Sequence, residues 1–69
     1  MGSTIIVNGE SWPRELASIE VLLRELGHDP TRPGIAVAVN DEVVPRREWP
    51  RRPLRFGDRV EIVGAVQGG

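Results

Sequence analysis

Sixty-nine residues bound this chain to one domain, with room for a small core and little for a deep pocket beside it. Cysteine is absent, which excludes disulfides, thiolate catalysis and Cys-ligated metal sites and gives no reason to invoke an oxidising compartment. The formal charge of -1 argues against general nucleic-acid affinity, and no apolar run nears the ~20 residues of a membrane span. With no signal-peptide core either, the expected location is cytoplasmic. All nine basic residues are arginine. The chain therefore offers no lysine ε-amine as an acyl acceptor, and in acyl chemistry it can act only as donor, through its C-terminus.

Thr4-Ile5-Ile6-Val7 is short, β-branched and apolar, and reads as a strand. Asn8-Gly9 is a type I′ hairpin signal, so a second strand is expected from Glu10 towards Glu15, confined by Pro13 to a sheet edge. Ser18 is a good N-cap, and Glu20 suits the first turn of a helix. The helix is expected over residues 19–26, with Ile19, Leu22, Leu23 and Leu26 as its buried stripe and Gly27 as its left-handed cap. His28 to Gly34 is loop by composition, and His28 is expected to be a solvated loop residue.

Ile35 to Asn40 is the cleanest strand. Its alternation turns Ile35, Val37 and Val39 inward and leaves Ala36 and Ala38 on a flat outer surface. Asn40-Asp41-Glu42 turns the chain into a short strand at Val43-Val44, which Pro45 ends. A helical turn follows, closed by Pro50, then a basic connection through Phe56 and a turn at Gly57-Asp58. The last strand runs over residues 59–66. Val60 and Ile62 are expected inward, and Glu61, Val63 and Ala65 outward.

One helix of about two turns needs one sheet face to cover it. The first and last strands are the most apolar and belong side by side at the sheet centre, parallel because the helical crossover lies between them. That is an α+β, ubiquitin-like β-grasp with a mixed sheet of about four to five strands. The domain is expected over residues 1–64, with residues 65–69 as a flexible tail.

The tail is Ala65-Val66-Gln67-Gly68-Gly69. Gly-Gly brings no side chain, only backbone that fits a narrow channel and a carboxylate ionised at neutral pH. On such a stalk the carboxylate can be threaded into another protein's active site and act there as a nucleophile. Ala36, Ala38, Val63 and Ala65 together would make an outer apolar patch, the expected docking face for a partner. Arg46, Arg47, Arg51, Arg52 and Arg55 form a basic cluster. It either meets acidic or phosphate-bearing partners or, as the default, forms a solvated rim neutralised by Glu48 and Asp58. Trp49 is expected to plug the open end of the core. Trp12 is open between edge-strand surface and partner contact.

At this level of detail the chain resembles the ThiS family of sulfur carriers. The resemblance rests on Val7-Asn8-Gly9-Glu10, Leu22-Leu23-Arg24-Glu25-Leu26, Ala38-Val39-Asn40, Val43-Val44-Pro45-Arg46-Arg47-Glu48-Trp49, Gly57-Asp58-Arg59-Val60-Glu61-Ile62-Val63 and Val66-Gln67-Gly68-Gly69. The Val-Pro-Arg-x-x-Trp piece is the most specific. Ser11-Trp12-Pro13 departs from the family pattern, and Gly64 loosens the strand before the tail.

The resemblance implies that the Gly69 carboxylate is adenylated with ATP by a ThiF-like adenylating enzyme. It further implies conversion to a thiocarboxylate by a sulfur donor (a cysteine desulfurase or persulfide carrier) and delivery of sulfur to thiazole synthase for thiamine biosynthesis. Gly68 would supply reach, with Val66 and Gln67 along the partner's channel. The chain itself would be a carrier that binds no cofactor or metal and touches neither nucleic acid nor membrane. Carriers for molybdopterin or cysteine synthesis, and a β-grasp interaction module whose tail does no chemistry, are the alternatives.

Overall fold

A computed structural model describes residues 3–64; the expected tail, Ala65 included, and the domain boundary before it lie outside the described residues. The elements are β1 (Ile5–Val7), β2 (Glu10–Trp12), α1 (Ile19–Glu25), β3 (Ile35–Val39), β4 (Glu42–Val43), a 3-10 helix (Arg46–Arg51) and β5 (Arg59–Gly64). The strands form one mixed sheet in the order β2-β1-β5-β3-β4. Strand β5 is central, parallel to β1 and antiparallel to β3. This is the expected β-grasp.

Both hairpins turn through two residues with positive φ, the requirement of a type I′ turn. Asn8 and Gly9 have φ of 49° and 86° and join Val7 to Glu10. Asn40 and Asp41 have φ of 52° and 73° and join Val39 to Glu42. Because a two-residue turn fixes register, these four residues decide which side chains face inward.

Helix α1 begins where Ser18 accepts the Val21 N–H on its hydroxyl at 3.1 Å, satisfying one of the first-turn donors. It ends in a paired cap. The His28 N–H donates to Leu23 O at 2.8 Å and the Gly27 N–H to Arg24 O at 3.0 Å, with Gly27 at φ 86°. The helix stops at Glu25, and Leu26 is 38% exposed, so the expected buried stripe is one residue too long. The left-handed turn at Gly27 lifts the chain away from the sheet just beyond Leu26.

The core joins Ile19, Leu22 and Leu23 of α1 to Ile5 and Val7 of β1, Val37 and Val39 of β3 and Val60 of β5. Leu16 and Leu54 close one side through a reciprocal pair of backbone hydrogen bonds, both 3.0 Å. Trp49 is also buried in this core, and its indole N–H donates to Val44 O at 3.0 Å.

Three further expectations are corrected. Strand β2 stops at Trp12, because Pro13 brings no ladder donor. Val44 lies outside β4 and inside the core, with its N–H on Val37 O at 2.8 Å. Pro50 sits within the 3-10 helix and does not close it; the φ of about −65° that its ring imposes lies within the 3-10 range.

Candidate functional site: the outer face and the end of strand β5

Strand β5 reaches Gly64, which pairs with Ile35 at the start of β3. Directly behind it in the β3–β5 ladder come Val63 opposite Ala36 and Glu61 opposite Ala38. These residues alternate with the core-facing Val37, Val39 and Val60, so they lie on the sheet face away from α1. Ala36 is exposed, Ala38 half-buried and Val63 65% exposed. The expected outward placement of all three is thus observed. Ile62 points inward as expected but is only half-buried, near the rim where the core thins.

One member of this face escaped the sequence reading. Val43 of β4 stands opposite Ala38 and is 75% exposed. The signal was available, since the two-residue Asn40-Asp41 turn forces Val39 opposite Glu42 and hence Ala38 opposite Val43. Val63, Ala36, Ala38 and Val43 form an apolar diagonal across three strands, starting at the strand end from which the chain continues towards Gly69.

Beside that end lies a cleft of about 690 Å³, lined by His28, Asp29, Arg32, Ile35 and Gly64 among others. Asp29 is committed to its own loop. Its carboxylate accepts from the Thr31 hydroxyl at 2.7 Å and the Thr31 N–H at 2.9 Å. Those bonds hold the Asp29 carboxyl below its ordinary value. His28 is an exposed loop residue, as expected. Among the described residues no His/Asp/Glu cluster could hold a metal ion. No helix among them is long and apolar enough to cross a membrane.

The basic cluster is only partly a rim, and among the described residues Asp58 forms no ion pair with it. The Asp58 carboxylate accepts the Arg55 N–H at 2.9 Å and the Asn40 amide at 3.0 Å, which shapes the turn before β5. Arg46 is structural: its guanidinium lies over the Trp49 ring at 4.5 Å and donates to the carbonyls of Pro30 and Arg32, tying that loop to the 3-10 helix. Trp12 sits on the edge strand, half-buried against the core with the Arg14 guanidinium 5.2 Å from its ring centre.

The architecture defines a class: a ubiquitin-like β-grasp domain whose central strand is followed in sequence by Gly68-Gly69 and flanked by an apolar outer face. Residues 2–69 match the model of the ThiS family, and the chain belongs to that family. It is 43% identical over 63 residues to a sulfur carrier protein ThiS of Thermus thermophilus, an alignment spanning 91% of this chain and 95% of the relative. To the sulfur carrier protein ThiS of Escherichia coli it is 31% identical over 52 residues, 75% of this chain and 76% of that one. The crystal structure of a thiamine biosynthesis protein (ThiS) from Geobacter metallireducens superposes with a TM-score of 0.74 at 26% identity, covering 96% of this chain and 99% of that one. A thiazole synthase of Paramagnetospirillum magneticum also matches, 35% identical over 66 residues that make up 94% of this chain and only 20% of the synthase. Family membership places the chain among the sulfur carrier proteins of thiamine biosynthesis.

Proposed function

We propose that this chain carries sulfur as a thiocarboxylate on Gly69 and delivers it to thiazole synthesis. A carboxylate cannot exchange oxygen for sulfur unaided, because oxide is too poor a leaving group. Activation must come first. A ThiF-like enzyme binds ATP, the Gly69 carboxylate oxygen attacks the α-phosphorus, and pyrophosphate leaves. The terminal sulfur of a persulfide, supplied by a cysteine desulfurase or a persulfide carrier, then attacks the acyl carbon and AMP leaves. A second thiol breaks the resulting S–S bond and departs in a disulfide, leaving the thiocarboxylate. This chain has no cysteine, so every thiol in the sequence of steps belongs to a partner.

The observation that carries the reading is the position of β5. The central strand is described as far as Gly64, and five further residues follow it in the sequence, a length that spans at most about 18 Å. That reach lets Ala65, Val66, Gln67 and Gly68 occupy a partner's channel while Ala36, Ala38 and Val63 rest against its surface. The match within a thiazole synthase polypeptide supports thiazole synthase as acceptor, since a carrier-like segment there is joined covalently to the enzyme it would serve.

The test is mass spectrometry of the chain after incubation with its adenylating enzyme, ATP and a sulfur source. An oxygen-to-sulfur mass increase on Gly69 is expected. An unchanged terminal glycine would remove the reading, and a thiocarboxylate that thiazole synthase does not consume would redirect it to another acceptor. One residue appended after Gly69 should abolish the product while leaving the domain folded.

A further inference from the structure

Strand β1 supports β5 for only a short stretch. Ile6 pairs with Arg59 and Val7 with Val60, and the Asn8 N–H reaches Val60 O at 2.9 Å. There β1 turns away into its hairpin. On the opposite side, β3 continues to support β5 as far as Gly64. The carboxamide of Asn8 fills the place that β1 leaves. Its Oδ1 accepts the Ile62 N–H at 2.8 Å, and its Nδ2 donates to Ile62 O at 3.3 Å. A single side chain thus meets both backbone groups of one residue, as a neighbouring strand would.

The second hairpin repeats the device at the other end of the strand. Asn40 Oδ1 accepts the Arg59 N–H at 2.9 Å, and its Nδ2 donates to Asp58 at 3.0 Å. The two turn asparagines therefore clasp the start and the far part of β5. They differ in what lies beyond them. Asn40 stands where β5 begins; Asn8 stands at Ile62, two residues before Gly64.

We propose that Asn8 is a positioning residue for the far end of β5: its carboxamide keeps the strand held on both sides through Ile62, and so fixes the course of Val63 and Gly64. Its consequence for activity rests on the carrier reading above. An end held on one side only can swing about that ladder. Such a swing at Ile62 carries Val63 and Gly64 with it and reduces the fraction of docked complexes in which the Gly69 carboxylate reaches the reacting phosphorus. The face that docks is untouched, so the effect falls on turnover and not on affinity.

Two variants separate positioning from ordinary stabilisation. Asn8→Gly and Asn40→Gly each remove one clasp, and both positions have the positive φ that glycine adopts freely. In Asn8→Gly, hydrogen exchange of the Ile62 amide should accelerate about tenfold or more. Nitrogen relaxation order parameters should fall at Val63 and Gly64. Asn40→Gly should do neither.

With the adenylating enzyme and ATP, pyrophosphate release at saturating Asn8→Gly should drop roughly threefold or more in kcat, with KM within about twofold of the parent. Asn40→Gly should leave both unchanged. Asn8→Asp keeps the acceptor for the Ile62 N–H and should recover part of the protection and part of the kcat. Equal order at Val63 and equal kcat in the two glycine variants would reduce Asn8 to a structural bond and overturn the proposal. If the parent chain itself releases no pyrophosphate, the carrier reading falls. The exchange and order measurements at Ile62, Val63 and Gly64 still decide whether Asn8 positions the strand end.

Discussion

Ala36 and Val63 stand directly opposite one another in the β3–β5 ladder, on the face of the sheet that turns away from α1. The pair puts apolar surface one residue before Gly64, where a partner gripping the terminus would also touch the domain. A carboxylate there should disturb docking far more than folding. Val63→Asp is expected to change stability by no more than about 0.5 kcal/mol, because Val63 is 65% exposed. The same change should raise KM for the adenylating enzyme about tenfold or more, if the pair lies near the centre of the contact. Steady-state pyrophosphate release beside a denaturant titration measures both. Wild-type kinetics in Val63→Asp would move the docking face elsewhere.

Trp49 is held at two points: its indole N–H on Val44 O at 3.0 Å, and the Arg46 guanidinium over its ring. The residue is buried as a member of the core cluster. Trp49→Ala should cost about 3–5 kcal/mol. A domain of this length commands only about 3–10 kcal/mol in all, so this one change removes between about a third and all of the stability. Trp49→Phe keeps most of the volume and orphans the Val44 carbonyl, at a cost of about 1–3 kcal/mol. Urea titration followed by far-ultraviolet dichroism separates the two. Near-equal losses would mean that the hydrogen bond, not the volume, carries the effect.

Much of this was legible because the signals are local. Asn8-Gly9 announces its hairpin through the φ that the turn demands, and the Ser18 cap and Gly27 stop bracket α1 within a residue. Leu26 was misread because helical period continues on paper past the point where Gly27 bends the backbone away. Val43 was missed because its face depends on a register that must be counted across the Asn40-Asp41 turn. The Asn8 clasp was out of reach: Ile62 lies 54 positions away, and nothing in a turn motif says where its carboxamide points. The same holds for Asp58, which looked like a counter-charge for the arginines and proved to be a turn acceptor.

Gly27 tests whether the helix stop depends on backbone conformation or on space. A Cβ built at this position meets nothing within 4 Å, so alanine encounters no clash. Its φ of 86° is costly for an L-residue all the same. Gly27→Ala should therefore destabilise by about 1–2 kcal/mol. Gly27→Asn should cost less, since asparagine tolerates the left-handed region. Thermal unfolding of both variants measures the difference. Identical losses would point to the cap hydrogen bonds of Gly27 and His28 as the seat of the effect.

Two exposed carboxylates should give the fold an acid limb. The hydrogen bond from Arg14 holds Glu25 below its ordinary value of 4.5, with the Arg14 charge adding to it and desolvation opposing. The Thr31 hydroxyl and N–H hold Asp29 below 3.8. A carboxyl whose folded value is depressed stabilises the fold fully above its unfolded value and loses that contribution as pH falls through the folded one. The window therefore opens below about pH 4.5 and extends downward. Both groups are open to solvent, so each contribution is small. At neutral pH, Glu25→Gln and Asp29→Asn should each unfold at slightly lower urea than the parent. The gap should close as pH drops through the window, because the parent then loses the interaction that the variants lack. Urea midpoints taken at intervals from about pH 7 to about pH 3 read this directly. A gap that stays constant to the acid end would show that the carboxylates act through packing or loop shape and not through their charge.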